Sequence, residues 1–125
     1  MSLIDLEHVN VRTTNLAAME KWYERVLGMV SGKRPKFGFP GAWLYLGARP
    51  VVHLVEVAET SNSDDLQIEH YAFRAADLEE FLAHLKAEGV ENYLGQVPGF
   101  GITQVNILDP DGNHIHVDFE SGEAG

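Results

Sequence analysis

Glu7-His8-Val9-Asn10-Val11-Arg12-Thr13-Thr14-Asn15-Leu16 returns 62 residues later as Glu69-His70-Tyr71-Ala72-Phe73-Arg74-Ala75-Ala76-Asp77-Leu78. Glu, His, Arg and Leu are identical at that constant offset. Asn15 becomes Asp77, and both residue types favour the position just before a helix. A register kept this long without a gap marks a doubled unit.

Working outward, residues 3–12 alternate as a strand, with His8, Asn10 and Arg12 on one face and Val9 and Val11 on the other. Leu16, Met19, Tyr23, Val26 and Leu27 then recur at helical spacing, Asn15 is placed to cap them and Gly28 to stop them. Residues 29–41, broken by Gly32, Pro35, Gly38 and Pro40, read as a strand entering a loop. Residues 42–46 and 50–57 are two strands around a turn at 47–49. The polar stretch 58–66 falls where a linker between copies belongs. The order then repeats: a strand over 68–74, and a helix capped by Asp77 and Glu80 with a Leu78, Phe81, Leu82, Leu85 stripe closed by Gly89. A strand at 90–94, a glycine-rich loop at 95–101, and strands at 103–108 and 114–119 follow. The last two are joined by Asp109-Pro110-Asp111-Gly112-Asn113, a strong turn signature. From Ser121 the tail is expected to fray. The expected class is α+β: tandem βαβββ modules (3–57 and 67–120) in one domain of residues 1–125, building a curved, mainly antiparallel, cup-like sheet with helices outside.

At 125 residues and 45% hydrophobic, the chain is of a size and composition to bury one core. Its net charge of −10 argues against nucleic acid, whose phosphates need a cationic face, and against an anionic membrane leaflet. There is no cysteine, which excludes disulfides and thiolate metal sites. Residues 1–5 show no basic segment followed by an apolar run, so no signal peptide is read there, and a cytoplasmic location is the expectation. No stretch approaches the roughly 20 apolar residues that span a bilayer.

Four of the six histidines fall at equivalent places. His8 and His70 lie on the first strand of each copy; His53 and His116 lie on the last, 45 and 46 residues further on. Drawn together, four neutral imidazoles would suit Zn, Ni, Co, Cu or Fe(II). Taken singly, each is as well explained as a strand histidine hydrogen-bonded near the core. His114 is read as rim and His84 as surface. Among carboxylates, Glu7 and Glu69 are placed on the wrong strand face, and Glu120 lies about 13 Å beyond His116 along the strand. Asp118, about 6.6 Å along, is the candidate base or orienting group. Asn10, Gln104 and Asn106 are candidates to orient a substrate; Trp43, Tyr45 and Phe100, with Phe37 and Phe39, are candidates to line its pocket.

The chain resembles the vicinal oxygen chelate superfamily, the group of glyoxalase I, bleomycin-resistance proteins, fosfomycin-resistance enzymes and extradiol dioxygenases. The carriers are Leu6-Glu7-His8-Val9, Trp22-Tyr23-Glu24-Arg25-Val26-Leu27-Gly28-Met29, Glu69-His70-Tyr71-Ala72-Phe73 and Asp109-Pro110-Asp111-Gly112-Asn113-His114-Ile115-His116. The resemblance implies paired modules holding one divalent ion (Zn, Ni, Co, Mn or Fe) with ligands at His8, His53, His70 and His116. It also implies a small-molecule substrate and a homodimer. Relatives often carry Glu where His116 stands, and glyoxalase I usually carries Glu where His53 stands. With no carboxylate at either place, glutathione-dependent lyase chemistry of the usual kind is disfavoured. Three functions stay open. The first is a metal-dependent lyase, isomerase or dioxygenase acting on a small oxygenated metabolite. The second is a metal-free sequestering protein of the bleomycin-resistance type. The third is a ring-cleaving oxygenase, against which the absent Glu counts.

Overall fold

Strand pairing repeats as faithfully as the sequence does. The structure is a computed structural model and describes residues 1–2, 4–60, 68–97 and 99–120. Most of the expected linker, Pro98 of the glycine-rich loop, Leu3 of the first strand and the tail from Ser121 lie outside the described residues. The chain divides into two units, Met1–Asn62 and Ser63–Gly125, each with one copy.

The first unit runs β1 (Val9–Thr13), α1 (Leu16–Leu27), β2 (Val30–Gly32), β3 (Gly41–Leu46), β4 (Arg49–Glu56). The second runs β5 (His70–Arg74), α2 (Leu78–Glu88), β6 (Tyr93–Val97), β7 (Ile102–Leu108), β8 (His114–Glu120). The strands form two four-stranded sheets, ordered β1-β4-β3-β2 and β5-β8-β7-β6. In each, the first strand returns parallel to the last while the other pairs are antiparallel. The α+β class with tandem βαβββ modules is therefore as expected, with the hydrogen bonding divided between two mixed sheets.

Period-two alternation gives each sheet a buried face and a face that carries the histidines. In the first unit Ala42, Leu44, Val52 and Leu54 are buried together with Met19, Tyr23 and Val26 of α1, which lies against β2, β3 and β4. In the second, Val105, Ile107, Ile115, Val117 and Phe119 are buried, and α2 adds Leu85 and sets Phe81 5.6 Å from Phe119 between ring centroids. Each fully buried leucine or isoleucine contributes about 1.5–3 kcal/mol over its exposed state. His8, His53, His70 and His116 occur on the alternate positions, away from this aliphatic layer.

Several local expectations change. β1 begins at Val9, not residue 3: its partner β4 starts that pairing at Val52, and Ile4 and Leu6 stay exposed. Asn15 occupies the N-cap position of α1 but makes no side-chain cap there; its own N–H donates to Thr13 Oγ1 at 2.9 Å. Asp77 does cap α2, accepting from Glu80 N at 3.1 Å. Gly28 ends α1 in the left-handed region at φ 69°, where a glycine pays no Cβ penalty. The strand expected at 90–94 is β6 at Tyr93–Val97, because Val90 is drawn into closing α2, its N–H donating to Leu85 O at 2.9 Å. Gly95, expected in a loop, is inside that strand, where a Cβ would lie 3.7 Å from the side chains of Asn106 and Gln104. Among the described residues, no helix is long and apolar enough to cross a membrane.

Candidate metal centre

In the first unit β4 lies between β1 and β3, so His53 has neighbours on both sides. The His8 ring stacks on it at 3.9 Å and 9°, and the Trp43 ring at 4.1 Å and 11°. His53 is 9% exposed, and its Nε2–H donates to Pro50 O at 3.0 Å, leaving Nδ1 with the lone pair. Burial first, and then the neighbouring His8, push its pKa below the ordinary histidine value, so the ring is held neutral. His8 donates from Nδ1 to Glu7 Oε1 at 3.1 Å.

The aromatic stack continues outward: Phe37 lies 6.4 Å from Trp43 and is stacked on Phe39 at 5.1 Å. The Arg34 guanidinium sits over both phenyl rings, at 4.9 and 5.2 Å, and donates to Phe39 O. Tyr45, named with these rings from the sequence, donates its hydroxyl to Lys33 O at 2.6 Å. Asn10 is exposed on the same sheet face as His53, its partner in the β1–β4 register.

In the second unit His70 donates from Nδ1 to Glu69 Oε1 at 2.6 Å. His116, 6% exposed, donates from Nδ1 to Asp118 Oδ1 at 2.6 Å. The two rings lie 4.4 Å apart with planes inclined at 42°. His114 Nδ1 lies 3.2 Å from the same Glu69 oxygen, and its Nε2 lies 2.8 Å from Asn106 Oδ1. Glu69, His70 and His114 form a group able to hold a metal ion, their ligand atoms all within 4.8 Å of one another. The Glu69 carboxyl is held below the ordinary carboxylate range, first by the hydrogen bond with His70 and then by the contact with His114.

Asp109 sets the turn before these histidines, accepting from Asp111 N, Asn113 N and Asn113 Nδ2 at 2.8–3.0 Å. Gly112 completes it at φ 85°. Gln104 and Asn106 project over Gly95 beside β8, and Phe100 is 76% exposed in the turn after β6.

Three sequence expectations meet the structure here. Glu7 and Glu69 are not on a useless face: both reach the adjacent histidine, because a carboxylate beside an exposed ring folds back along the strand edge. The signal was in the sequence, since Glu-His is repeated in both copies. His114, read as rim, has a side chain 23% exposed and bonded on two sides. His84, expected at the surface, is half-buried on α2.

The four expected ligands share one feature. Each has one ring nitrogen committed to an acceptor, which fixes the proton there and leaves the other nitrogen as an aimed lone pair. Imidazole nitrogens of that kind are donors that a divalent ion of borderline softness takes. The family model of the Glyoxalase/Bleomycin resistance protein/Dioxygenase superfamily matches residues 5–117.

The chain belongs to that superfamily.

Solved structures agree on the fold. A glyoxalase family protein from Bacillus anthracis is 19% identical, with 96% of this chain and 98% of that one covered and a TM-score of 0.81. A glyoxylase/bleomycin resistance protein/dioxygenase domain from Frankia sp. is 16% identical, covering 95% and 93%, with a TM-score of 0.79. A lactoylglutathione lyase from Agrobacterium tumefaciens is 19% identical, covering 97% of each chain, with a TM-score of 0.71. No curated protein matches.

Proposed function

We propose that this superfamily member is a metal-dependent enzyme of the vicinal oxygen chelate type, acting on a small oxygenated metabolite by lyase, isomerase or dioxygenase chemistry. The observation that carries the reading is the pinning of four equivalent histidines, three of them by carboxylates, so that one nitrogen of each is free to ligate. His8 and His53 of the first unit and His70 and His116 of the second are the proposed ligands for a divalent ion, in a cytoplasmic homodimer. When bound, such an ion supplies Lewis acidity toward neighbouring oxygens of the substrate.

The rest falls to the chain. Asp118 holds the Nδ1 proton of His116 and so orients that ring; it is the acid-base candidate once its partner turns. Gln104 and Asn10 offer amide groups to the substrate, and Asn106, bonded to Tyr93, Gln104 and His114, bears on it through His114, while Trp43 and Phe100 offer apolar contact, with Tyr45 supporting them. Substrate with adjacent oxygens is the class this polar and aromatic mixture favours.

Elemental analysis of protein purified without an affinity tag tests the reading. Stoichiometric metal is expected, with melting temperature falling on chelation, since an ion at a hundred times its Kd stabilises by about 2.7 kcal/mol. Protein that carries no metal and gains no stability from any divalent ion would overturn it.

A second reading has its own support. Parallel rings keep their lone pairs in parallel planes, so His8 and His53 cannot share an ion until one ring turns. The Phe39–Phe37–Trp43–His53–His8 array instead favours a metal-free protein that sequesters a flat ligand. A ligand panel read by thermal shift with and without chelator separates the two: binding that survives chelation belongs to the second.

A further inference from the structure

His114 is held at both ring nitrogens, by Asn106 on one side and Glu69 on the other. Asn106 is 7% exposed, and its Nδ2 donates to Tyr93 O at 3.3 Å and Gln104 O at 3.4 Å. Its orientation is therefore set, and Oδ1 is the atom turned to His114 Nε2, 2.8 Å away. An amide oxygen only accepts, so Nε2 donates there and Nδ1 is the nitrogen turned to Glu69. Nδ1 lies 3.2 Å from Glu69 Oε1, an anionic acceptor. A second proton on the ring closes that contact, and a metal ion bridging the two atoms closes it equally well. His70 Nδ1 reaches the same carboxylate oxygen from β5, so three ligand atoms surround one place.

We propose that the second module binds a divalent metal ion by itself, through Glu69 Oε1, His70 Nδ1 and His114 Nδ1, with Asn106 as the positioning residue that aims His114. The spacing suits it. Zn–N and Zn–O bonds of about 2.0–2.2 Å at a tetrahedral angle set ligand atoms roughly 3.3 Å apart. The Glu69–His114 separation is already there, and the Glu69–His70 separation of 2.6 Å opens by roughly 0.7 Å when an ion replaces the shared proton. Two histidines and a carboxylate from one side leave positions open for water or a chelating substrate, and favour Zn, Co or Fe(II).

This set differs from the one drawn from first and last strands. It needs neither His8, His53 nor His116, and it uses the nitrogen of His70 opposite to the one that set would use. It also returns a carboxylate to the metal, the group the other set lacks. Its sequence signal is a second histidine two positions before His116, where the first module has Val51 before His53.

Titration of the full chain with Co²⁺, followed by its visible absorption and by displacement with Zn²⁺, tests the site. His114→Ala and the isosteric, exposed Glu69→Gln should each weaken Co²⁺ binding by about tenfold or more and change the ligand-field bands; Asn106→Leu should weaken it by about tenfold. His84→Ala on α2, outside both ligand sets, should leave it within a factor of about three of the unsubstituted chain. Circular dichroism confirms that each variant is folded. Unchanged Co²⁺ binding by both folded His114→Ala and Glu69→Gln overturns the inference. If binding is instead lost in His8→Ala, His53→Ala and His116→Ala, the inference falls and the four-histidine set stands. An unsubstituted chain that binds no Co²⁺ or Zn²⁺ sinks both.

Discussion

Counted 63 residues apart, the inner strands of the two modules correspond: His53 answers to His116, Trp43 to Asn106, Val51 to His114 and Val55 to Asp118. The backbone lattice is the same, with Trp43 paired to His53 as Asn106 is paired to His116. The chemistry hung on it is not. The first module surrounds its last-strand histidine with rings; the second surrounds it with hydrogen-bonding groups. A duplicated scaffold thus keeps its pairing pattern while the two modules carry different side chains on it: stacked rings in the first, hydrogen-bonded polar groups in the second. The Glu-His pair at the start of each module is chemically alike in both.

The largest expected difference between modules lies in their hairpin turns. Asp109→Ala removes a carboxylate that is 4% exposed and accepts three hydrogen bonds; it should cost about 3 kcal/mol in denaturant unfolding. The corresponding turn of the first module has only Gly47 at φ 65°, and Gly47→Ala should cost about 1 kcal/mol. Equal losses would mean that the two turns are held in the same way after all.

Next comes Asp118. Asp118→Asn leaves the volume of the side chain but weakens its hold on His116 Nδ1, and should lower metal affinity about 10–100-fold if His116 is a ligand. Val55→Ala, at the matching place, should leave affinity unaltered. An Asp118→Asn chain with full affinity would assign ion binding to Glu69, His70 and His114 alone.

The smallest effect concerns acid. His53 takes up a proton less readily folded than unfolded, so below the ordinary histidine value of about 6.5 the unfolded chain binds more protons. Its contribution is present above that pH and is lost as the pH falls through it. His53→Gln should therefore reduce the fall in melting temperature between about pH 7 and pH 5. A variant just as acid-sensitive as the unsubstituted chain would place the sensitivity elsewhere.

Much of the fold was legible because it is written twice. The Glu-His…Leu repeat, the helical stripes ending at Gly28 and Gly89, and the Asp109–Asn113 turn set the order of elements and their type. Boundaries were harder where one residue answers to two demands. Val90 looks like a strand residue yet closes α2, and Gly95 looks like a loop residue yet makes room for Asn106 and Gln104 to cross β6. Ile4 and Leu6 are apolar enough for a strand, but pairing, not hydropathy, decides where a strand begins. In the candidate site, strand parity identified the four histidines and Asp118. It misplaced Glu7 and Glu69, because parity describes where a Cβ points and says nothing of a flexible carboxylate bending back to its neighbour. His114 was undervalued for a related reason: its importance comes from Asn106, eight residues away, through a contact that only the β7–β8 register creates.

His70 belongs to both ligand sets, so it tests the metal reading most directly. Calorimetric titration of the unsubstituted chain and of His70→Ala with Zn²⁺ should show one tightly held ion per chain in the first and its loss in the second. Tight, stoichiometric binding that survives in His70→Ala, or no binding by the unsubstituted chain, would contradict the account at its centre.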